Sequence, residues 1–314
     1  MSIAYIFPGQ GSQAVGMGAA LAKAFPAAGA VFSEVDEALG QNLSRLMWEG
    51  PEADLTLTEN AQPALMAVSM AAMRVLGETF GVPLKGKIAF AAGHSLGEYS
   101  ALAGARALSL ADTARLLKTR GRAMQDAVAV GEGAMAALLG ADLAQARELA
   151  KAAGEGEVCE AANDNAPGQV VISGTKTAIE RAVELAPQYG ARRAVLLPVS
   201  APFHCALMQP AADVMREALS QVEIKTPEVP IVANVLAEPI SDPEEIGARL
   251  VEQVTGMVRW RETMLYLAKN GVDTVYEVGA GRVLSGIARR FDGIKANGAG
   301  TPEELENVAA ALQG

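Results

Sequence analysis

The sequence predicts an α/β protein in which a smaller unit interrupts a larger one. Short apolar runs that end in Gly or Pro alternate with longer helical patterns along most of the 314 residues. Between residues 130 and 198 the pattern changes to a strand–helix–strand–strand–helix–strand order, which is typical of a ferredoxin-like unit. We therefore expect residues 1–129 and 199–314 to form the main unit and residues 130–198 to form the insertion.

The elements of the main unit follow from hydrophobic periodicity and turn residues. The run at 3–7 stops at Pro8, and the run at 87–92 stops at Gly93, so both are predicted strands. Ser109 is a good N-cap for the helix that follows it. The other predicted strands are 231–234 and 274–278; the predicted helices are 30–40, 61–80, 98–105, 109–128, 207–222, 244–255, 261–270, 283–290 and a capped helix from 301.

The insertion begins after a Gly-Glu-Gly boundary at 131–133. Its pattern predicts four strands and two helices, each too short to form a stable unit without packing on the others. The predicted strands are 134–139, 158–162, 169–173 and 194–197, and the predicted helices are 143–153 and 177–189.

The composition favours a folded protein that binds no nucleic acid. Half of the residues are apolar and 20% are charged, so a sizeable core is possible. The 36 acidic and 26 basic residues give a net charge of −10, which disfavours binding to phosphate backbones. Two cysteines are too few for a disulfide framework or a zinc cluster. With no apolar run of about 18 residues and no basic leader, we expect an intracellular protein without a membrane span or signal peptide.

A candidate nucleophile lies in the turn after the second predicted strand. Residues 93–97 have the sequence Gly-His-Ser-Leu-Gly, which matches the G-x-S-x-G nucleophile elbow. An apolar strand precedes the motif and a helical pattern follows it, as an elbow requires. Such a turn exposes the Ser95 hydroxyl at the carboxyl end of the strand and directs the next backbone N–H to the same point. We therefore favour Ser95 as a nucleophile over a simple Gly-Ser turn.

A histidine is the expected base for such a serine, and the chain contains two. His94 is the neighbour of Ser95, and adjacent residues in an elbow point away from one another. His204 follows a predicted strand in a proline-containing loop, where catalytic groups of α/β folds gather. If a histidine activates Ser95, it is therefore His204. No acid stands out as a third member, and we interpret Cys205 as a small buried residue.

The glycine-rich loop after the first strand has three interpretations. Residues 9–14 match G-x-G-x-x-A, a weak dinucleotide-binding fingerprint. Pro8 at the start of the turn, glutamines at the variable positions and the lack of a strand ending in an acid at the proper distance argue against it. Alternatively, the loop supplies a backbone N–H to an oxyanion hole, or it is a plain strand-to-helix turn.

Three cations stand close together in an otherwise acidic chain: Lys118, Arg120 and Arg122. One interpretation is a solvated helix face. The other is that Arg120 binds a substrate carboxylate in bidentate geometry, which suits a guanidinium better than an ammonium. Spacing alone favours neither interpretation.

Six segments, spread over nearly the whole chain, together carry a family resemblance. They are FPGQGSQ at 7–13, GHSLGEY at 93–99, RGRAMQ at 120–125, GQVVISG at 168–174, PVSAPFHC at 198–205 and EVGAG at 277–281. In this order they resemble the malonyl-CoA:acyl carrier protein transacylases of bacterial fatty acid synthesis. One such segment is a weak signal, whereas six in the family order are highly specific.

The resemblance implies the roles of the reacting residues. Ser95 would attack the malonyl thioester and carry the malonyl group as an ester. His204 would accept the serine proton and later activate the incoming pantetheine thiol. The family orients this histidine with a backbone carbonyl in place of a carboxylate, and the matching position is Gln253. A carbonyl in that role would explain why no triad acid stands out.

The resemblance also implies how the acyl group is held. Gln10 and Leu96 would donate backbone N–H groups to the oxyanion, and Arg120 would pair with the free malonyl carboxylate. Leu96 after the nucleophile and Phe203 before the histidine resemble the malonyl-selecting pattern of related acyltransferase domains. Methylmalonyl-selecting domains usually carry a polar residue and a small residue at these two places.

The implied fold is an α/β-hydrolase-like core with the ferredoxin-like insertion. We expect a cytoplasmic monomer that uses malonyl-CoA as substrate, meets acyl carrier protein transiently and needs no cofactor or metal. A serine hydrolase is the nearest alternative, because it shares the elbow and the histidine but passes the acyl group to water. A nucleotide-binding protein that uses the Gly9 loop is a second alternative. A non-catalytic subunit is a third, and the retained serine, histidine and arginine argue against it.

Overall fold

The computed structural model describes residues 2–199 and 201–313. Ser200, part of the segment at 198–205, and the outer ends of the main unit, Met1 and Gly314, lie outside the described residues. The strands of the described part are β1 (Ser2–Phe7), β2 (Phe90–Gly93), β3 (Gly133–Leu139), β4 (Cys159–Ala166), β5 (Gln169–Thr175), β6 (Arg193–Leu196), β7 (Ile231–Val232), β8 (Pro239–Ile240), β9 (Val272–Val278) and β10 (Lys295–Ala299).

The α-helices alternate with these strands. They are α1 (Ala19–Ala24), α2 (Pro26–Leu39), α3 (Leu43–Glu49), α4 (Glu52–Thr56), α5 (Thr58–Arg74), α6 (Leu96–Gly104), α7 (Leu110–Asp126), α8 (Leu143–Gly154), α9 (Lys176–Leu185), α10 (Gln209–Ser220), α11 (Pro243–Thr255), α12 (Trp260–Lys269), α13 (Val283–Ala288) and α14 (Pro302–Gln313). A π-helical turn, Val75–Thr79, continues α5, and 3-10 turns follow α9 and precede α10. Within residues 2–199 and 201–313, no helix is long and apolar enough to cross a membrane.

Six strands form a largely parallel sheet in the order β10-β9-β1-β2-β7-β8. β1 pairs in parallel with both β9 and β2, and β2 pairs in parallel with β7. The two strand ends Phe7 and Gly93 are direct partners in this register. Because the carboxyl ends of parallel strands meet at one edge, the loops after β1, β2 and β7 lie side by side. Ser95 is on this edge, two residues beyond the end of β2.

The other four strands form an antiparallel sheet in the order β4-β5-β3-β6. Between Gly133 and Leu196 the elements follow the strand–helix–strand–strand–helix–strand order that the sequence predicts. The side chains between this sheet and α8 and α9 form an apolar cluster of their own, which includes Leu138, Leu149 and Ile172. This cluster is separate from the two clusters that flank the six-stranded sheet.

Strand β4 extends further than the sequence predicts. The prediction ends at residue 162, whereas the strand continues to Ala166 with two irregularities in its register. Its polar second half is stabilised by groups outside the small sheet. The Asp164 N–H donates to the Val258 carbonyl at 2.9 Å, and Arg261 contacts the Asp164 carboxylate at 2.8 Å. Polar residues therefore continue this strand because the main unit supplies their partners.

Helix α5 is buried on nearly every face, in agreement with its small and Met side chains. Helix α7 packs beside it, and Ser109 caps α7 as predicted by accepting from the Asp112 N–H at 3.0 Å. The two helices approach closely at Gly121, where a Cβ would overlap the backbone carbonyl of Thr58. This contact holds the preceding residue, Arg120, in the interior.

Several short elements are absent from the sequence predictions. Helices α1, α3 and α4 have six, seven and five residues, so none repeats the helical period often enough to be recognised. Strand β10 has the sequence Lys-Ala-Asn-Gly-Ala, which lacks the apolar alternation of a typical strand. It lies at the outer edge of the large sheet, where one side needs no partner strand.

Candidate active site

The elbow at Ser95 is a strained turn that only its two glycines permit. Ser95 has φ 53° and ψ −112°, and α6 begins at the next residue. A Cβ at Gly93 would overlap the backbone of Gly97, and a Cβ at Gly97 would overlap the carbonyl of Phe7. The strain at a non-glycine residue is of a kind that clusters at active sites. The motif therefore forms the predicted elbow, with Ser95 at its apex.

His204 lies beside Ser95 in the structure, although the two residues are 109 positions apart in the sequence. The Ser95 Oγ lies 2.8 Å from the His204 Nε2. His204 also has a positive φ of 59° and is 4% exposed, so its loop holds the ring in place against a local backbone preference. Sequence reasoning selected His204 by elimination, and the structure brings it to the serine.

Two backbone carbonyls orient the imidazole. The His204 Nδ1 lies 2.9 Å from the Gln253 carbonyl and 3.1 Å from the Gly256 carbonyl, both at the C-terminal end of α11. Carbonyls only accept, so Nδ1 carries the proton and Nε2 is free to accept the one from Ser95. Burial, and then the Arg120 guanidinium, lower the pKa of His204 to about 3, so the ring is neutral at pH 7.

Arg120 lies beside the serine and is almost fully buried, with 1% of its surface exposed. Its guanidinium donates to the Ser95 Oγ at 3.1 Å, to the Gln253 Oε1 at 2.8 Å and to the Gln62 Oε1 at 2.8 Å. It also lies 5.6 Å from the centroid of the Tyr99 ring. Its Nε has no partner, and no carboxylate lies within ion-pair distance of it, among residues 2–199 and 201–313. A buried cation without an anion is poised to bind one.

The two other cations of this helix lie elsewhere. Lys118 pairs with Glu59 at 3.2 Å and donates to Gln41 and Asn60. Arg122 is exposed and lies 3.8 Å from Asp126. Spacing alone allowed either a solvated helix face or a buried position for these cations. In the structure Arg122 lies on a solvated face, whereas Arg120 is buried.

Three buried polar residues complete the site, and sequence reasoning assigned none of these side chains to it. Asn234, just after β7, accepts from the Ser95 N–H at 2.7 Å and donates to the Gly93 carbonyl at 2.6 Å. The Glu98 carboxylate accepts from the Asn234 N–H at 3.1 Å and from the Gln253 side-chain amide at 2.7 Å. Burial raises the pKa of Glu98 to about 7. Glutamate is almost never fully buried without a partner, but no local pattern in the sequence marks Glu98 as buried.

His94 points away from the reacting groups, as predicted. Its Nε2 lies 2.8 Å from the Asn165 Oδ1, and its ring lies 5.6 Å from that of Trp260. Cys205 is fully buried, and its thiol donates to the Pro202 carbonyl at 3.2 Å. Neither side chain makes a hydrogen bond to Ser95, so we interpret both as structural. Within the described part of the chain, no group of His, Cys, Asp and Glu residues is arranged to hold a metal ion.

This geometry can be set against known proteins. The family model described as "Acyl transferase domain" matches residues 4–295. A malonyl CoA-acyl carrier protein transacylase of Bacillus subtilis (strain 168) is 45% identical over 313 residues, which cover 99% of this chain and 97% of that protein. The chain belongs to the family of malonyl CoA-acyl carrier protein transacylases. It is therefore an acyltransferase.

Solved structures of other transacylases share the whole architecture. The acyl-carrier-protein S-malonyltransferase of Bartonella henselae is 57% identical, covers 100% of both chains and superposes with a TM-score of 0.97. A malonyl-transacylase solved in complex with its type II PKS acyl-carrier protein is 40% identical, with a TM-score of 0.95 and coverage of 99% of this chain and 100% of that one.

In this transacylase the loop after β1 lies directly against the elbow. A Cβ at Gly9 would come within 2.8 Å of the His94 carbonyl, so the close approach requires a glycine. Gln10 follows, with its side-chain amide 3.4 Å from the Thr58 hydroxyl. Leu96 is the first residue of α6, where backbone N–H groups lack partners within the helix. Phe203 is 9% exposed and precedes His204. The predicted roles of Gln10, Leu96 and Phe203 thus fall on residues at or next to the elbow and the histidine.

Proposed function

We propose that this acyltransferase moves the malonyl group of malonyl-CoA to the pantetheine thiol of acyl carrier protein and so supplies fatty acid biosynthesis. The observation that best supports malonyl as the acyl group is the buried Arg120 guanidinium. It donates a hydrogen bond to the Ser95 hydroxyl and has no carboxylate partner among the described residues. A malonyl thioester attached at Ser95 brings a carboxylate to that cation. An acetyl thioester brings none.

Acylation starts at the hydrogen bond between Ser95 and His204. The Ser95 oxygen attacks the thioester carbonyl while its proton moves to the His204 Nε2. The resulting imidazolium is stabilised by the Gln253 and Gly256 carbonyls, which accept from its Nδ1–H. The tetrahedral intermediate then collapses, the C–S bond breaks, and the proton on Nε2 passes to the sulfur of CoA. The product is a malonyl ester on Ser95.

The reverse steps discharge the ester to the carrier. His204 takes the proton of the pantetheine thiol, the thiolate attacks the ester carbonyl, and the returning proton restores the Ser95 hydroxyl. Thioester, ester and thioester are close in energy, so one site serves both half-reactions. The backbone N–H groups of Gln10 and Leu96 stabilise the oxyanion in each, and one such donor typically contributes about 3 kcal/mol.

Arg120 and Phe203 select the acyl group. A desolvated guanidinium pairs with a carboxylate in a bidentate geometry, and leaving it unpaired is costly. Acyl groups without a carboxylate should therefore react more slowly. Phe203, buried beside His204, limits the space for a branched acyl group.

The fold is proposed to be an α/β-hydrolase-like core, residues 1–129 and 199–314, with a ferredoxin-like subdomain at 130–198. The elbow at the carboxyl edge of a largely parallel sheet supports the first part, and the antiparallel order β4-β5-β3-β6 with two packed helices supports the second. We expect a cytoplasmic monomer. We also expect that it needs no metal and no cofactor, because every proton transfer above has a protein donor or acceptor.

The carrier protein is proposed to dock on basic side chains. Arg192, Arg193, Arg289 and Arg290 are all exposed, and none makes an ion pair within the described residues. An acidic carrier would be attracted to such a surface. Charge reversal at Arg289 and Arg290 should raise the KM for the carrier and flatten its salt dependence. The exposed Lys85 and Lys87, which precede β2 at the opposite edge of the sheet from Ser95, provide the matched control. If charge reversal at Arg289 and Arg290 changes the KM for the carrier no more than charge reversal at Lys85 and Lys87, this surface is not the docking site.

The function is tested by following the fate of the malonyl group. Malonyl-CoA is mixed with the protein in the presence and absence of acyl carrier protein, and CoA, free malonate and malonyl-carrier are measured together. We expect malonyl-carrier to form in proportion to CoA release, with little malonate. Steady release of malonate that the carrier does not suppress would instead identify a hydrolase.

A further inference from the structure

The side-chain amide of Gln253 lies between two buried groups, the Arg120 guanidinium and the Glu98 carboxyl group. Its Oε1 accepts from the Arg120 guanidinium at 2.8 Å. Its Nε2 donates to the Glu98 carboxylate at 2.7 Å and to the Ser95 carbonyl at 3.0 Å. Gln253 and Glu98 are 0% and 1% exposed, so water does not substitute for these partners.

These two groups allow only one orientation of the amide. The Glu98 oxygen that faces the amide also accepts from the Asn234 N–H, and a guanidinium only donates hydrogen bonds. Turning the amide over would set its NH₂ against the Arg120 N–H and its oxygen against the Glu98 carboxylate. Both contacts would be repulsive. Glu98 therefore determines which atom of Gln253 faces Arg120.

Glu98 is connected to the elbow by a second route. The carboxylate oxygen that binds Gln253 also accepts from the Asn234 N–H, and the Asn234 Oδ1 accepts from the Ser95 N–H. One oxygen atom thus fixes partners from two distant segments, α11 and the end of β7. Arg120 and Tyr99 are the charged and titratable side chains that act electrostatically on Glu98 within the described residues.

We propose that Glu98 is a positioning residue for malonyl selectivity, which acts by holding the Gln253 amide so that Arg120 is aimed at the acyl group on Ser95. This assignment rests on the proposed function. Glu98 makes no hydrogen bond to Arg120 or to the Ser95 hydroxyl, and Gln253 supplies the hydrogen bonds that link Glu98 to Arg120. Without Glu98, the Gln253 amide loses its fixed orientation, and Arg120 loses one of its directed acceptors.

A second buried glutamate supplies a matched control. Glu277, at the end of β9, is 0% exposed and accepts from two backbone N–H groups, those of Leu284 at 3.0 Å and Ser285 at 2.7 Å. These donors belong to the start of α13 and make no hydrogen bond to Ser95, His204 or Arg120. A Glu277→Gln variant therefore removes a buried carboxylate without touching the selection of the acyl group.

The experiment compares malonyl-CoA with acetyl-CoA on one set of variants. Acylation of Ser95 is followed by intact mass, and kcat/KM is measured for each thioester with Glu98→Leu, Glu98→Gln and Glu277→Gln. Leucine removes the acceptor oxygen, whereas glutamine keeps the shape and one acceptor. Misplacement of a positioning contact can cost about 100-fold, and we expect a loss of that order for malonyl with Glu98→Leu. The loss for acetyl should be about tenfold, so the preference for malonyl falls about tenfold.

The outcomes separate the possible roles. Glu98→Gln should lie between the wild type and Glu98→Leu, and Glu277→Gln should keep the wild-type preference. Equal losses for the two thioesters would overturn the proposal, since a purely structural carboxylate would act on both. If Glu98→Leu does not fold, the preference of Glu98→Gln alone decides: a preference equal to that of the wild type contradicts the proposal.

A double-mutant cycle tests the route through Gln253. Gln253→Met keeps the backbone carbonyl at His204 but removes the amide. In that background Glu98→Gln should change the malonyl preference by less than about twofold, because the two residues act as a unit. Additive effects would show that Glu98 acts by another route. If the wild-type protein itself formed no malonyl adduct, the proposed function would fail, which is distinct from failure of the role of Glu98.

Discussion

The helix-covered face of the four-stranded sheet and the carboxyl edge of the six-stranded sheet differ in how they hold buried polar groups. Between the four-stranded sheet and its two helices the buried side chains form an apolar cluster, and the helices there are capped locally, as by Asp142 and Gln145 at the start of α8. At the carboxyl edge of the six-stranded sheet, five buried polar or charged side chains surround one serine: Glu98, Arg120, His204, Asn234 and Gln253. Their partners lie far apart in sequence.

The difference shows what each region is built to do. A local cap satisfies a backbone group with a neighbour a few positions away and adds stability at little cost. A long-range polar network must satisfy all its members at once, and a buried charge without its partner costs several kcal/mol. Such an arrangement is kept for chemistry more than for stability. Changes at the edge of the large sheet should therefore alter activity, and changes in the small sheet should alter stability.

The largest expected effect is at the base. His204→Ala removes the acceptor of the Ser95 proton, so acylation by malonyl-CoA should slow by about 10⁴-fold. The fold should persist, because the change keeps the Cβ and the backbone of this loop and removes only the ring. Single-turnover acylation followed by mass, with a thermal melt alongside, measures both. A slowing of less than about tenfold would contradict the role of His204.

The next effect is at the carboxylate clamp. Arg120→Ala should lower kcat/KM for malonyl-CoA by about 10³-fold, the cost of breaking a buried charge pair. Acetyl transfer should fall by about tenfold at most. Steady-state kinetics with both thioesters supply the comparison, and the exposed Arg122→Ala on the same helix is the control. Equal losses for the two thioesters would show that Arg120 is not the clamp.

A change beside the small sheet should lower stability and leave activity nearly unchanged. Leu149→Ala on α8 empties part of the apolar cluster and should lower the free energy of unfolding by about 2–5 kcal/mol. The acylation rate of the folded protein should stay within about twofold of wild type. Denaturant unfolding and single-turnover acylation at the same temperature test this pair of statements. A large loss of acylation in a folded variant would break the contrast between the two regions.

Acid should remove the contribution that the neutral His204 makes to stability. The folded pKa of His204, about 3, is below its ordinary value of 6.5, so the unfolded state takes up the proton first. This contribution to stability is complete above pH 6.5 and is lost as the pH falls toward 3. Each such proton adds a slope of about 1.4 kcal/mol per pH unit. Glu98, whose pKa is raised to about 7, contributes with the opposite sign in this range, so the measurement is the difference between the unfolding curves of the wild type and His204→Gln from pH 7.5 to 4.5. That difference should correspond to one proton.

The sequence predicted the residues whose type carries the chemistry. The elbow at Ser95 was recognisable because the turn requires glycine on both sides, and His204 was found because the chain has only two histidines. The strands and longer helices followed from periodicity. Spacing alone left Arg120 undecided, because it fits both an exposed helix face and a buried clamp, and only the family resemblance assigned it to the malonyl carboxylate. Its burial depends on the close approach of α7 to α5 at Gly121, which is a tertiary contact.

The rest of the site could not be predicted for two physical reasons. The groups that orient His204 are backbone carbonyls, which every residue has, so Gly256 carries no signal of its role. Asn234 and Glu98 act through partners more than 100 positions away, and no local pattern records such a pairing. The same reasoning explains the second half of β4, whose polar residues form a strand only because residues near α12 bind them.

The most direct test of the central claim is the intact mass of the protein after mixing with malonyl-CoA, with Ser95→Ala measured in parallel. The account predicts a gain of one malonyl group on the wild-type protein, no gain on Ser95→Ala, and loss of the adduct when acyl carrier protein is added. An unmodified wild-type protein with malonyl-CoA left intact would contradict it.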